Sequence, residues 1–375
     1  MVDPARIADA LADVISTSDV PGAAWTVSWG AGQDRRTIVD AVDAQPDAIV
    51  RIASLTKPVA AVATLALADR GVLRLDDPVA HWLPELEGRR VLRSPDAELD
   101  DTEPAEHGLD VHDLLVMGLG LGFDPRLSGD EPIAREVTAR DLAPRHDTPD
   151  LDDEGWLRAV GGLPMLHQPG QGWLYDTSYV ALGILLSRAA ERPLGDVLAE
   201  TVLEPLGMHE TARSVEADAL DRVPALVLGR APREASPAAD PDLLVEPRLQ
   251  TASTGLVSTV EDLGRFWRAV LDHDPSVLSE AGWDRLGRDQ LSPSQDAMAR
   301  TFLAEHEAWG YGGTVDRTPA YPGSGPGRYG WAGGTGTFAA ADRASGVSAV
   351  LLTQRGLDGP DAERLWTTFW TAVHA

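Results

Sequence analysis

Arg51-Ile52-Ala53-Ser54-Leu55-Thr56-Lys57-Pro58 places a serine three residues ahead of the only lysine in the chain. Of the 32 Lys and Arg residues, 31 are Arg, so arginine serves at every other cationic position. Arginine cannot release its proton in a protein, whereas a desolvated lysine can fall in pKa and act as a base. A lone lysine at this offset is what an activated serine nucleophile needs. The residues that follow, Pro58 to Arg70, form an alanine-rich apolar run that stops at Gly71 and predicts a helix buried on nearly all sides. Proline is tolerated only in the first turn, so the helix starts close to Ser54. Ser54 then lies at a helix N-terminus, where free N–H groups favour developing negative charge. Lys57, three residues on, shares its face.

Working outward, residues 22–29 and 36–42 alternate apolar and polar side chains around Gly30-Ala31-Gly32-Gln33-Asp34 and predict a β-hairpin. A first helix carries Ile7, Leu11, Val14 and Ile15. Residues 89–110, 123–155 and 214–250 read as polar, Pro-containing connections. Gly118-Leu-Gly-Leu-Gly122 follows a helical segment, lacks dinucleotide-binding spacing and reads as a tight loop. Helices are expected over 179–190, 194–203, 260–271 and 360–373. Strands are expected over 309–315, 339–342 and 347–353. Strands at both chain ends with helices between them predict an α+β fold. Its antiparallel sheet is built from both termini and flanked by terminal helices, with a mostly helical domain inserted. The expected division is 1–75 together with 300–375 for the sheet domain and 76–299 for the helical one. The active site is expected between them.

Composition narrows the partners. The 375 residues are 43% hydrophobic, enough for a sizeable core, and carry a formal charge of −27. That charge argues against nucleic acid or an anionic membrane as partner. There is no cysteine, which excludes disulfides and thiolate metal sites, and no asparagine. The nine histidines show no close metal spacing; His107 and His112 are the nearest pair considered. No cofactor and no metal are expected. No signal-peptide pattern or long apolar run is visible, so a cytoplasmic location is expected. The oligomeric state is open.

Ser54-x-x-Lys57, then Tyr175, then the glycine-rich Trp331-Ala332-Gly333-Gly334 resemble, in this order, the serine β-lactamase and penicillin-binding-protein superfamily. The likeness is nearest to class C β-lactamase-like hydrolases and family VIII carboxylesterases, and segments 73–79, 113–122, 205–208 and 255–259 support it. The resemblance implies that Ser54 is acylated, with Lys57 as a neutral base or sharing a proton with Tyr175. It puts Thr177 where an asparagine is usual. Tyr179 competes with Tyr175, but Tyr175 lies in the loop after Pro169-Gly170 and is preferred. Gly333 and Gly334 would line a strand edge, the Gly334 N–H joining that of Ser54 as oxyanion hole. Trp331 and Ala332 replace the family's cation and hydroxyl, which favours a neutral, apolar acyl or alcohol group. Trp309, with Trp156, Trp173 and Tyr311, is a candidate aromatic lining.

The expected function is therefore a carboxylesterase-like serine hydrolase acting on a small-molecule acyl substrate through an acyl-enzyme. An acyltransferase using the same site, a β-lactamase or D-Ala-D-Ala peptidase, and an inactive binding homologue are the alternatives.

Overall fold

A computed structural model describes residues 2–142, 151–228, 231–232, 241–357 and 360–375. The architecture is α+β. Seven strands form one antiparallel sheet: β1 (Ala23–Trp29), β2 (Arg36–Val42), β3 (Glu307–Trp309), β4 (Thr314–Asp316), β5 (Tyr329–Gly333), β6 (Thr337–Asp342) and β7 (Val347–Leu352). Their order is β2-β1-β7-β6-β5-β4-β3, so the N-terminal hairpin pairs with the last strand of the chain. The expected hairpin is present, with Trp25 opposite Asp40 across the β1–β2 pair and opposite Leu351 across the β1–β7 pair.

Because side chains alternate across a strand, each face collects its own core. Ala23, Trp25 and Val27 of β1 point to one face with Ala349 and Leu351. There they meet the terminal helices α1 (Pro4–Ile15) and α6 (Pro360–His374). Trp25 packs on Phe369 with ring centroids 6.0 Å apart. Ala24, Ala339, Ala341, Val350 and Leu352 belong to the larger core on the other face. Helix α5 (Val260–Asp272) lies against that face. At Gly264 it comes so close that a Cβ would stand 2.9 Å from Thr26 Cγ2.

Helix α2 (Thr56–Asp69) is buried from Thr56 through Leu67. A helix apolar all round has no face to give to water and sits inside the fold. The expected strand over 309–315 is instead two strands, β3 and β4. They are separated by a turn in which Gly312 takes φ +81° and the Gly310 N–H bonds the Gly313 carbonyl at 2.9 Å. Three glycines within four residues favour a reversal over continued extension. The connection expected over 89–110 contains a short ribbon, Arg90–Leu92 with Thr102–Pro104. The connection over 123–155 contains a helix at Pro132–Ala139. Parts of 123–155 and of 214–250 lie outside the described residues. No helix among the described residues is long and apolar enough to cross a membrane.

Candidate active site

The turn carrying Ser54 is a single 3₁₀ turn, Ala53–Leu55, leading directly into α2. Ala53 is held at φ +45°, a left-handed conformation that an ordinary residue adopts only when its surroundings enforce it. The enforcement is visible on both sides. The Ile52 N–H donates to Leu256 O at 3.1 Å, while the Thr335 and Thr337 hydroxyls donate to Arg51 O at 2.6 Å and Ile52 O at 3.0 Å. Gly333 of β5 lies against the same turn, and a Cβ there would be 2.3 Å from Ile52 O. The edge carrying Gly333 and Gly334 is thus fastened beside Ser54. Gly334 is half-buried, and its carbonyl accepts from the Leu357 N–H at 3.0 Å.

Lys57 is fully buried. Its ammonium donates to Ser54 Oγ at 3.0 Å, to Asp176 Oδ1 at 2.7 Å, and to the carbonyl and hydroxyl of Ser253 at 2.8 and 3.0 Å. The Ser253 hydroxyl also donates to Asp176 Oδ1. Asp176 immediately precedes α4 (Thr177–Ala190) and has φ +87°. In this turn it is Asp176 that reaches the lysine; Thr177 is the buried first residue of the helix.

Tyr175 lies beside Ser54, and the serine side chain acts to lower the tyrosine's pKa. The Trp331 indole N–H donates to the Tyr175 hydroxyl at 2.9 Å, and Lys57 Nζ lies 4.7 Å from the centre of the Tyr175 ring. The loop that read as tight in the sequence holds this tyrosine. The Phe123 N–H donates to Tyr175 O at 2.9 Å, and a Cβ at Gly122 would lie 2.6 Å from that oxygen. Tyr179 is buried elsewhere, its hydroxyl donating to Leu115 O at 3.2 Å.

The protonation states differ from the expectation of a neutral lysine. Burial is the largest influence on Lys57 and works to lower its pKa, but Asp176 and then Tyr175 outweigh it and hold the group above its ordinary value. Tyr175 is pushed up by burial, with Lys57 opposing and the Asp176 charge adding to the rise. The resting site therefore favours Lys57 as an ammonium.

Aromatic rings surround Tyr175. Phe302 stacks on Tyr175 at 4.7 Å, Trp331 lies 5.5 Å from Tyr175, and Trp173 lies 6.0 Å away. Trp309 is fully buried behind this layer, 4.8 Å edge-on to Trp331, with its indole N–H on Leu115 O at 3.1 Å. Phe302 and Phe123 are 39% and 44% exposed and meet at 5.9 Å, forming an apolar rim. Trp156 is buried in the helix Asp153–Gly161, and the Tyr311 hydroxyl bonds His112 Nδ1 at 2.9 Å. Sequence reasoning missed Asp176, Ser253, Phe123 and Phe302. Only Asp176 left a signal: a buried lone lysine needs a counter-charge, and Asp176 adjoins the tyrosine already singled out.

Two trios of possible metal ligands occur among the described residues: His273 with Glu280 and Asp284, and His306 with Glu307 and Asp316. Asp316 already pairs with Arg328 at 2.8 Å and His273 with Glu280 at 2.7 Å, and neither trio includes a residue of the Ser54 site.

The family model described as Beta-lactamase matches residues 7–370. The chain belongs to that family. Protein Rv1367c of Mycobacterium tuberculosis is 33% identical over 331 residues, covering 85% of this chain and 80% of the relative. Esterase EstB of Burkholderia gladioli is 30% identical over 336 residues, covering 84% and 80%. Among solved structures, EstCE1, described as a hydrolase with promiscuous acyltransferase activity, superposes with a TM-score of 0.78 at 19% identity, covering 99% of this chain and 98% of that one. This β-lactamase-family chain has the β-lactamase/transpeptidase fold and is a serine hydrolase of that superfamily.

Proposed function

We propose that this member of the family hydrolyses neutral carboxylic esters through an acyl-enzyme on Ser54. The observation that carries the reading is the Ser54 hydroxyl 3.0 Å from the Nζ of a fully buried Lys57, with the Tyr175 ring 4.7 Å from that same Nζ. Lys57 and Tyr175 move the protons of acylation and deacylation. The backbone N–H groups of Ser54 and Gly334 are assigned to the oxyanion. Trp331 occupies the position where a carboxylate-binding cation would favour β-lactams or D-alanyl peptides, and the Phe123–Phe302 rim offers apolar surface to an ester's acyl or alcohol group.

The test is hydrolysis of p-nitrophenyl acetate and butyrate by the wild type, Ser54→Ala and Lys57→Arg. Wild-type turnover at least about 100-fold above both variants is expected; turnover equal to theirs rejects the assignment. An acyltransferase is the second reading, favoured by the description of EstCE1 and the exposed aromatic rim. Ester formation on adding a neutral alcohol acceptor would separate it from hydrolysis. Rapid nitrocefin turnover would favour a β-lactamase instead. Failure of a fluorophosphonate to label Ser54 would favour an inactive homologue.

A further inference from the structure

An ammonium has three protons, yet Lys57 Nζ has four acceptors within 3.0 Å, contributed by Ser54, Asp176 and Ser253. Its shortest contact is to Asp176, whose Oδ1 also receives the Ser253 hydroxyl. An asparagine beside the lysine could orient it but could not accept a proton; a carboxylate can do both. The backbone supports a dedicated role, because Asp176 is held at φ +87°, a conformation that glycine adopts far more readily. The lysine is wholly enclosed, while the Asp176 side chain is 14% exposed. The charged or titratable groups acting on Lys57 are Asp176 and Tyr175. From the sheet side, the glycine turn at Gly312 meets the Lys57 carbonyl, and the neighbouring Tyr311 is engaged with His112.

We infer that Asp176 is the terminal proton acceptor for Ser54, reached through Lys57. Lys57 passes one N–H proton to Asp176 Oδ1 and, with the lone pair so freed, takes the hydroxyl proton of Ser54 as Oγ attacks the acyl carbon. One N–H bond and the Ser54 O–H bond break; one O–H bond forms on Asp176 and one N–H bond on Lys57. The electron pair of the serine O–H bond becomes the new Oγ–C bond, and the π pair of the acyl C=O moves onto its oxygen as the oxyanion. Lys57 is an ammonium before and after, and Asp176 goes from carboxylate to carboxylic acid. When the tetrahedral adduct collapses, the proton returns by the same path to the leaving alkoxide. Asp176 acts through Lys57 and is a positioning residue that also stores the proton. The relay rests on the reading of Ser54 as nucleophile, and it lets a lysine held as an ammonium take part in proton transfer.

The test is the pH dependence of kcat/KM for p-nitrophenyl butyrate in wild type, Asp176→Asn and Asp176→Gly, with Ser54→Ala as baseline and thermal melting as folding control. Asparagine keeps the size of the side chain, and glycine relieves the positive φ while opening space for a small carboxylate. In Asp176→Asn, kcat at neutral pH should fall about 100-fold, and the acid limb should move toward alkaline pH because Lys57 itself must now lose a proton. Added formate should restore activity several-fold to Asp176→Gly. An unmoved acid limb in Asp176→Asn, or no formate effect on folded Asp176→Gly, overturns the relay even if kcat falls. Equal activity of wild type and Ser54→Ala overturns the nucleophile itself, a distinct outcome.

Discussion

At the scale of single residues, Trp331 is tied to Tyr175. Its indole N–H is the donor that meets the Tyr175 hydroxyl at 2.9 Å. A donor to an oxygen that gains negative charge is worth roughly 1.5–3 kcal/mol, against about 1 kcal/mol for a neutral pair. Trp331→Phe keeps an aromatic ring and removes only the N–H. If Tyr175 bears charge in the transition state, kcat for p-nitrophenyl butyrate should fall about ten-fold while KM stays within about two-fold. An unchanged kcat would mean that Tyr175 remains a neutral phenol throughout. Steady-state kinetics distinguishes the two.

At the scale of elements, the alignment of α4 with segment 250–253 brings Asp176 and Ser253 together. The Ala252 N–H donates to Tyr179 O at 3.0 Å, and the Arg213 guanidinium holds Thr251 O and Leu249 O at 2.9 and 2.8 Å. The contact depends on Gly183. A Cβ there would stand 2.1 Å from Gln250 O and 2.5 Å from Ala252 N, both backbone atoms. Glycine in mid-helix ordinarily costs about 1 kcal/mol relative to alanine. Here the close approach reverses the preference. Gly183→Ala should destabilise by about 1–3 kcal/mol, as overpacking does. It should also lower kcat beyond what the folded fraction explains, since Ser253 moves away from Lys57. Denaturant unfolding alongside kinetics on the folded fraction checks both; a melt and kcat equal to wild type would contradict the packing.

At the scale of the whole molecule, the site exists where the sheet meets α2. Gly312 backs onto the Lys57 carbonyl and Gly333 onto Ile52 O, each too near for a side chain. A Cβ at Gly333 would also be 2.2 Å from Thr337 Oγ1. Gly333→Ala should push β5 away from the Ser54 turn, costing about 1–3 kcal/mol of stability. Displacement of the Gly334 N–H should cost about 100-fold or more in acylation rate, the scale of losing one oxyanion donor. The check is burst amplitude and rate with p-nitrophenyl acetate, paired with thermal melting. Wild-type acylation in a folded variant would remove Gly334 from the oxyanion assignment.

Much of this was legible in the sequence wherever the determinant is local. Alternation in residues 22–29 and 36–42 specifies the hairpin, and an unbroken apolar run specifies a buried helix after Ser54. Ser54 and Lys57 are three residues apart, so helical geometry alone places them together. Beyond that range the signal fails. Phe302 and Phe123 come from distant segments and carry no pattern that marks them as partners of Tyr175. Ser253 and Asp176 are separated by 77 positions and meet only because Gly183 lets α4 lie on the Gln250–Ala252 backbone. The charge of Lys57 is the clearest division between the two levels. Sequence identifies a lone lysine after a serine, and desolvation alone would make it a neutral base. The fold sets Asp176 2.7 Å away and Tyr175 beside it, and together they outweigh desolvation. Residue identity and spacing thus singled out Ser54 and Lys57, while tertiary contact decided which groups surround the lysine.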